Sequence, residues 1–461
     1  VFTFGICQAG GAGKVIAEYI VEGETELDLW FMDPRRYTDY ATKTYATLKA
    51  IEVYQNEYAM HTPHRVWPEG RPAKTSPLYD RLMAAGAQFG AFGGWERPLW
   101  FAREGDRAEQ DLTYGRPHFD DAIAAEVKTV TEAAGLLDLT GFTRFELSGE
   151  GASEWLDGMI TGVLPRLGRV SLAYFCAESG RVITELTITR LAEERYWLIG
   201  PAAGYWHDRD WLQQHMPQDG SVVLEDITAR YGTLVLAGPK SRDILAAIAD
   251  EDLSNGALPW LCVSPITIGM AKGLVLRVNF VGELGYELHM PFETMAAVHT
   301  RLMAAGEEHG LGNFGMYAMD SMRLEKGYRA WKQDLSSEYT PLTSAVDRFV
   351  KLNKTRFIGR EALLKEAQEG PVQRFVVMEL EPADGTEAGY GSPVFSGETP
   401  VGLVTSGGFG HRTGKSLALG YVNTDLSAEG TELLIDIYGE KRKAVVIPEV
   451  LYDPQNEKLR A

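Results

Sequence analysis

The stretch Asn279–His289 constrains the fold more than any other, because an apolar, strand-like run is interrupted twice by glycine. Gly282 and Gly285 bracket Glu283, and glycine allows a backbone to bend sharply and to approach a ligand closely. Two interpretations of this fragment remain open. It is either a bulged strand or hairpin turn whose acid faces solvent, or a site that presents Glu283 to a ligand.

The composition is that of a globular protein with several hydrophobic cores. The chain has 461 residues, of which 45% are hydrophobic and 24% are charged, and single domains usually contain about 100–200 residues. The net charge of −19 argues against a sequence-independent nucleic-acid protein, which needs clustered Lys and Arg. No apolar run approaches the roughly 20 residues of a membrane helix.

The cysteines and histidines predict neither a disulfide framework nor a metal site. His61 and His64 are close in sequence, but Pro63 breaks any helix there and favours a turn with two surface imidazoles. Wide cysteine spacing suits a reducing compartment, either the cytoplasm or the mitochondrial matrix of a eukaryote. The cysteines are Cys7, Cys176 and Cys262.

The first residues have the pattern of a cofactor domain's end. Residues 2–7 predict a strand, Gln8–Lys14 a glycine-rich turn, and Val15–Val21 an amphipathic helix. Such a turn before a helix suits a phosphate group, but the glycine spacing lacks the dinucleotide fingerprint. The pattern therefore favours the tail of a larger cofactor domain, followed by a connector that ends near Arg71.

The strand predicted at Val182–Thr189 carries the second acid of interest. Val182, Thr184, Leu186 and Ile188 share one face, so Glu185 lies on the other. From the pattern alone, Glu185 is as readily an acid on the wet face of an antiparallel sheet as a functional group.

The remaining pattern predicts an α+β protein that ends in a small β barrel. Strands and helices alternate irregularly as far as Gly370, with an aromatic, glycine-broken loop predicted at Phe92–Trp100 and a strand at Leu274–Phe280. Short β segments then follow at the spacing of a barrel. The glycine-rich, basic loop Thr405–Lys415 either covers a ligand or is a mobile surface turn.

Seven segments, spread over almost the whole chain, carry a resemblance to a known family. They are Ser76–Asp80 with Gly94–Pro98, Ala134–Leu139, Gly180–Thr187, Phe280–Glu287, Asp320–Gly327, Phe357–Leu363 and Val401–Gly407. In this order they resemble the folate-binding half of the dimethylglycine dehydrogenase and sarcosine dehydrogenase family, which is similar to the glycine cleavage T-protein, an aminomethyltransferase.

The resemblance implies a three-lobed α+β fold around a central folate cavity, with a C-terminal β barrel. It divides the chain into five parts. These are the tail of an FAD-dependent amine oxidase domain (1–35), a connector (36–72), the folate-binding domain with two α+β lobes (73–345), a linking helix (346–370) and the barrel (371–461).

The resemblance also implies site residues. Glu185 matches the family's catalytic carboxylate, which acts near the folate nitrogens, and Glu283 matches the acid that hydrogen-bonds the pterin ring. Phe280, Gly282 and Tyr286 would wall the folate pocket. Gln8, Ala9, Gly10 and Gly11 would contact FAD in an intact enzyme, although this chain alone is not expected to hold FAD.

Some positions differ from the T-protein pattern. Glu185 replaces Asp, as in mitochondrial-type dimethylglycine dehydrogenases, and Leu172 stands where some relatives have a folate-contacting Tyr. Met319 stands where T-proteins carry Arg. The segment after Asp138 lacks the His of T-proteins, which favours the dehydrogenase branch.

The predicted function is tetrahydrofolate-dependent one-carbon transfer, coupled to a flavin half that oxidises an N-methyl amine such as dimethylglycine or sarcosine. The implied partners are folate, a small methylated amine and an upstream flavin domain or subunit, with no nucleic acid and no membrane. Two alternatives remain: a stand-alone folate-dependent demethylase or methyltransferase, and a catalytically silent regulatory relative.

Overall fold

A computed structural model describes residues 5–382 and 385–461. Its helices, in chain order, are α1 (Ala9–Glu22), α2 (Lys43–Gln55), α3 (Tyr79–Ala84), α4 (Asp120–Glu132), α5 (Ala152–Met159), α6 (Tyr205–Gln214), α7 (Ser241–Ala246), α8 (Phe292–Gly306), α9 (Met316–Leu324), α10 (Arg360–Glu369) and α11 (Glu457–Arg460).

The strands, also in chain order, are β1 (Ala87–Phe92), β2 (Trp95–Phe101), β3 (Ala134–Asp138), β4 (Thr143–Ser148), β5 (Val170–Cys176), β6 (Val182–Ala192), β7 (Arg195–Gly200), β8 (Val223–Asp226), β9 (Tyr231–Ala237), β10 (Val263–Ile268), β11 (Ala271–Leu276), β12 (Gly285–Pro291), β13 (Leu311–Asn313), β14 (Gln373–Leu380), β15 (Pro393–Ser396), β16 (Thr399–Gly410), β17 (Lys415–Asn423), β18 (Glu432–Ile437) and β19 (Glu440–Ile447).

These strands form two sheets, a hairpin and a barrel, so the α+β prediction is confirmed. The six-stranded sheet has the order β10-β11-β12-β9-β3-β13, and the five-stranded sheet has the order β5-β6-β7-β4-β8. Strands β14-β17-β16-β15-β18-β19 close into a barrel, as predicted for the end of the chain. Closure removes the exposed strand edges that an open sheet of this size would leave.

The predicted alternation of β6 is confirmed from Thr184 to Ile188, whereas Val182, beyond a shift in the register with β5, packs in the cluster of Tyr174. Leu186 and Ile188 are fully buried and pack in a core cluster with Phe145 and Leu156. Glu185, on the other face, is half-buried. The five-stranded sheet therefore buries one face under helices and turns the face with Glu185 towards the following part of the chain.

A buried ion pair fixes the barrel to the preceding domain. On α9, the Arg323 guanidinium donates to an Asp334 carboxylate oxygen at 2.6 Å and to the Ser406 hydroxyl of β16 at 2.8 Å. The Thr405 hydroxyl donates to the other Asp334 oxygen at 2.5 Å. The Arg323 and Asp334 side chains are 1% and 0% exposed, so each is the buried counter-charge of the other.

Two local predictions are wrong. Phe92–Trp100 is not an aromatic loop, because β1 and β2 pair as an antiparallel hairpin whose turn lies at Gly93 and Gly94. The strand predicted at Leu274–Phe280 ends at Leu276, because the chain leaves the sheet there and rejoins it only at Gly285.

The N-terminal prediction is wrong for the strand and for the glycine-rich turn, whereas the predicted helix Val15–Val21 is confirmed, since it lies within α1. Residues 1–4 lie outside the described residues, and residues 5–8 form a 3-10 helix. Because α1 begins at Ala9, Gly10 and Gly11 lie within the helix and not in a turn before it.

None of the described helices combines the length and apolar composition needed to cross a bilayer.

Asp334→Asn is expected to lower the free energy of unfolding by about 3–5 kcal/mol, because it leaves the buried Arg323 guanidinium without its buried anion. Asp320→Asn is the matched control. Asp320 also bonds Arg323 but is 47% exposed, so its loss is expected to cost less than about 1 kcal/mol. Urea denaturation of both variants measures the difference, and equal losses would show that burial does not set the strength of this contact.

Candidate active site

Glu185 lies in the middle of β6, directly opposite Tyr174 on β5 in the antiparallel register. Tyr174 is 1% exposed, and its side chain lies on the same face of the sheet as that of Glu185. The pairing follows from the short turn at Gly180, which fixes the register of the two strands. A strand is a rigid support, so the position of this carboxylate is well defined.

The side chains around this pair are mainly apolar. Tyr174 belongs to a buried cluster with Val182, Leu335 and Val346, against which Leu172, Trp331 and Phe349 pack partly buried. The Phe349 ring centroid lies 5.6 Å from that of Tyr174. Leu172 therefore lies on this wall and contributes no polar group to it, and its contact with folate stays a prediction.

Burial changes the acidity of Glu185. Removal from water raises the pKa of this carboxyl to about 7, although the Tyr174 hydrogen bond and the positive charge of Arg329 act in the opposite direction. A carboxyl that titrates near neutral pH accepts and returns a proton readily. Because Glu185 is half-buried and the apolar cluster of Tyr174 lies on the same face, this face of the sheet is not an open, wet one.

Glu283 lies on the turn between β11 and β12, and the bulged-strand interpretation of this stretch is wrong. The Asn279 side-chain oxygen accepts from the amides of Val281 and Gly282 at 2.9 and 3.0 Å, and its amide donates to the Glu283 carbonyl at 2.7 Å. An Asx-type turn therefore shapes the loop.

Steric contacts explain why residues 282 and 285 of the stretch Asn279–His289 are glycine. Gly282 has a φ of 82°, and a Cβ there would lie 2.7 Å from the Lys326 side chain. A Cβ on Gly285 would lie 2.6 Å from the Asn279 side chain. The glycines thus allow the turn to close over its neighbours and hold Glu283 in place.

The Glu283 carboxylate is 2% exposed and unevenly bonded. Its Oε1 accepts from the Tyr452 hydroxyl at 2.6 Å and from Arg412 at 3.2 Å. Its Oε2 has only Lys458, at 4.0 Å, as an ion-pair partner among the described residues. Burial raises the pKa of Glu283, while Tyr452, Arg412 and Lys458 oppose the rise.

Arg412 comes from the barrel, within the Thr405–Lys415 segment predicted as a loop. This segment is the hairpin of β16 and β17, and Arg412 at its tip is 3% exposed. Its guanidinium bonds Glu325 and Glu283 and lies 3.7 Å from the Tyr452 ring centroid. The mobile-turn interpretation is therefore wrong, and this hairpin covers Glu283.

Two aromatic contacts involve residues near the acids. The Phe280 ring, three residues before Glu283, stacks on Tyr328 with centroids 5.5 Å apart. The Arg348 guanidinium lies 4.8 Å from the centroid of the Phe349 ring, which packs against the Tyr174 cluster. Burial raises the pKa of both Tyr174 and Tyr328, and the positive charge of Arg348 opposes the rise in each.

The remaining predicted site residues lie elsewhere. Tyr286 does not wall a pocket, because its ring is 0% exposed in the core of the six-stranded sheet and its hydroxyl accepts from Arg242 at 3.1 Å. Gly282 shapes the turn. The structure places Gln8–Gly11 at the start of α1, and their FAD contact stays a prediction. Within the described residues, no group of three His, Cys, Asp or Glu side chains is suited to a metal ion.

Sequence reasoning missed Tyr174, Tyr328, Arg412 and Tyr452. Tyr174 was accessible from the pattern, since two strands joined at Gly180 place it opposite Glu185. The other three were not, because each reaches the site from a distant part of the chain.

Comparison of the sequence with models of known protein families gives matches over most of the chain. The model of the GCVT N-terminal domain matches residues 78–354, and that of the glycine cleavage T-protein C-terminal barrel domain matches residues 373–453. The model of the FAD dependent oxidoreductase central domain matches residues 22–76, which overlap the predicted tail and connector. The fold and these matches define the class of the glycine cleavage T-protein. The chain belongs to the glycine cleavage T-protein family.

Two relatives and one solved structure describe its place in that family. The chain is 33% identical to mitochondrial dimethylglycine dehydrogenase of Mus musculus over 100% of its own length and 53% of the relative, so it spans about half of that protein. It is 33% identical to the aminomethyltransferase of Symbiobacterium thermophilum, over 82% of the chain and 97% of the relative.

The solved structure is that of the glycine cleavage system aminomethyltransferase T from Bartonella henselae. The match has a TM-score of 0.71 at 26% identity and covers 83% of this chain and 98% of that one. The predicted T-protein-like fold is confirmed.

The Glu185 carboxyl is expected to titrate near pH 7, and Tyr174→Phe is expected to raise its pKa further, because the phenol hydrogen bond favours the charged form. Carbon-13 NMR of glutamate-labelled protein follows the titration, and Glu185→Gln identifies the signal. A Glu185 midpoint near the ordinary value of about 4.3 would show that burial does not control this acid.

Proposed function

We propose that the chain is the tetrahydrofolate-dependent half of a flavin-linked N-methyl amine demethylase, and that it forms 5,10-methylenetetrahydrofolate. The observation that carries the proposal is the Glu185–Tyr174 pair, in which a half-buried carboxyl with a pKa of about 7 lies on an apolar wall. Perturbed acids in such surroundings are common at active sites. Burial of a carboxyl does not stabilise the fold, so an acid with only a structural role has no advantage at this place.

The residues around the two acids fit a folate. Tetrahydrofolate, when bound, supplies two amine nitrogens that take up the one-carbon unit. Glu283 Oε2 retains acceptor capacity for the N–H groups of a pterin edge, because Tyr452 and Arg412 both bond Oε1. Phe280 and Tyr328 offer aromatic surface beside it. Since Glu283 is only 2% exposed, a ligand that reaches Oε2 has to displace part of its cover.

Glu185 is assigned the proton transfer. Joining an iminium carbon to two amine nitrogens removes two protons from those nitrogens. One proton leaves on the departing amine, which is secondary when the substrate is dimethylglycine and primary when it is sarcosine, and Glu185 accepts the other. A base with a pKa near 7 is ionised in about half of the molecules at neutral pH, which suits this task. Tyr174 orients the carboxylate and holds it against the strand.

The amine and the flavin half are proposed from the relatives. The chain resembles dimethylglycine dehydrogenase along its whole length and includes part of an FAD dependent oxidoreductase central domain. Dimethylglycine or sarcosine is therefore the proposed amine, and a flavin domain or subunit the proposed partner. We propose the cytoplasm or the mitochondrial matrix as the location.

Glu185→Gln is expected to slow methylenetetrahydrofolate formation about a hundredfold, since general-base catalysis contributes roughly 10²–10⁴. Its tetrahydrofolate affinity is expected to stay within about twofold of the parent, because a neutral amide keeps the shape of the wall. The rate is measured with formaldehyde and tetrahydrofolate after subtracting the protein-free reaction, and the affinity by calorimetry. The parent rate is expected to rise with pH through about 7 as Glu185 ionises.

Glu178→Gln is the matched control, because Glu178 is an exposed acid on the turn that joins β5 and β6. It is expected to leave both quantities unchanged. Equal rates for Glu185→Gln and the parent would remove Glu185 from the mechanism. Absence of tetrahydrofolate binding at millimolar concentration would favour the catalytically silent alternative.

A further inference from the structure

A cavity whose lining includes neither Glu185 nor Glu283 lies beside helix α6. Its volume is about 630 Å³, within the range of small-molecule sites. It is enclosed by the 3-10 helix Pro34–Tyr40, the β1–β2 turn, the edge of β4 and the residues around β8, and helix α6. We refer to it as the α6 cavity.

The lining of the α6 cavity is more basic than the protein as a whole. Four of its side chains are cationic and two are acidic, whereas the chain carries a net charge of −19. The cationic side chains are Arg35, Arg36, Lys74 and Arg209, and the acidic ones are Asp39 and Asp226.

Two of these cations have carboxylate partners and two do not. Arg35 bonds Asp33 at 2.6 Å, and Lys74 lies 3.4 Å from Asp39. Arg36 donates to the Tyr37 hydroxyl and to a main-chain carbonyl, and Arg209 donates to the Tyr205 hydroxyl at 3.2 Å. In the described part of the chain, Arg36 and Arg209 form no ion pair. Their guanidinium groups retain donors for an anion.

Two buried polar groups on the same lining lack partners. Thr143 is 1% exposed, and its hydroxyl has no hydrogen bond among the described residues. The buried indole N–H of Trp206 is likewise unbonded there. Buried polar groups without partners are rare and costly. The indole N–H and the free guanidinium groups are donors, and the Thr143 hydroxyl can donate as well as accept, so these four groups together suit a ligand that accepts hydrogen bonds.

We propose that the α6 cavity binds a small molecule that carries an oxyanion group, either a carboxylate or a phosphate. Arg36 and Arg209 provide charge-assisted hydrogen bonds to the oxyanion, and the Thr143 hydroxyl donates a further one. The Trp95, Tyr205 and Trp206 rings give apolar surface for the rest of the molecule.

This site is separate from the proposed folate site. Thr143 pairs with Gly200 and shares its face of the sheet with Phe145, which packs against Leu186 in the helix-covered core. Glu185 lies on the opposite face because side chains alternate along a strand. Failure of one proposal therefore leaves the other standing.

Calorimetry on the intact chain tests the proposal with N,N-dimethylglycine, γ-glutamylglutamate and inorganic phosphate, each up to about 10 mM. At least one is expected to bind. Binding of a carboxylate alone or of phosphate alone identifies which oxyanion the site takes. Absence of binding by all three overturns the proposal.

The double variant Arg36→Gln with Arg209→Gln is expected to weaken binding at least about tenfold, because both charge-assisted hydrogen bonds are lost. Arg356→Gln is the charge-matched control. Arg356 is an exposed arginine, with a side chain 73% exposed, outside the cavity, and its loss is expected to leave affinity unchanged. Parent affinity in the double variant, or an equal loss in the control, would mean that the anion does not bind in the α6 cavity.

Thr143→Val tests the buried hydroxyl without changing the size of the side chain. It is expected to weaken binding several-fold and to raise the thermal unfolding midpoint of the ligand-free chain, since an unbonded hydroxyl is removed from the interior. The rise in midpoint also shows that the variant is folded. Unchanged affinity in this variant would contradict the placement of the anion against β4.

Discussion

The guanidinium of Arg412 lies between two buried carboxylates, and the arrangement of the candidate active site depends on it. Glu325 lies at the C-terminal end of α9, and Glu283 lies in the turn before β12. Arg412 bonds both acids from the hairpin of β16 and β17. Loss of one member of a buried ion pair typically costs about 3–5 kcal/mol. Barrel docking and the position of Glu283 are therefore set by the same contact.

Glu185 depends on a different balance. Burial against an apolar wall raises its pKa, while Tyr174 and Arg329 keep the rise moderate, so that the carboxyl titrates near neutral pH. A fully solvated acid at this position would be a weaker base, and one without the phenol would be protonated in a larger fraction of the molecules at neutral pH. The pair of strands that fixes Tyr174 opposite Glu185 thus connects the fold with the proposed proton transfer.

Much of the fold was predictable because it is local. The alternation of β6 from Thr184 onwards and the barrel strands both follow from periodicity within a few residues. The site was less predictable, since Arg412 and Tyr452 reach Glu283 from positions more than a hundred residues away. Tyr286 was assigned to the pocket by resemblance, whereas packing places it in the core.

We expect Glu185 and Glu283 to contact the same bound folate. The most direct measurement is an experimental structure of the chain crystallised with tetrahydrofolate. The pterin edge is expected to be hydrogen-bonded to Glu283, and the folate amine nitrogens are expected beside Glu185. Phe280 and Tyr328 are expected to pack against the ligand. A folate bound elsewhere, with both carboxylates still in their present contacts, would contradict it.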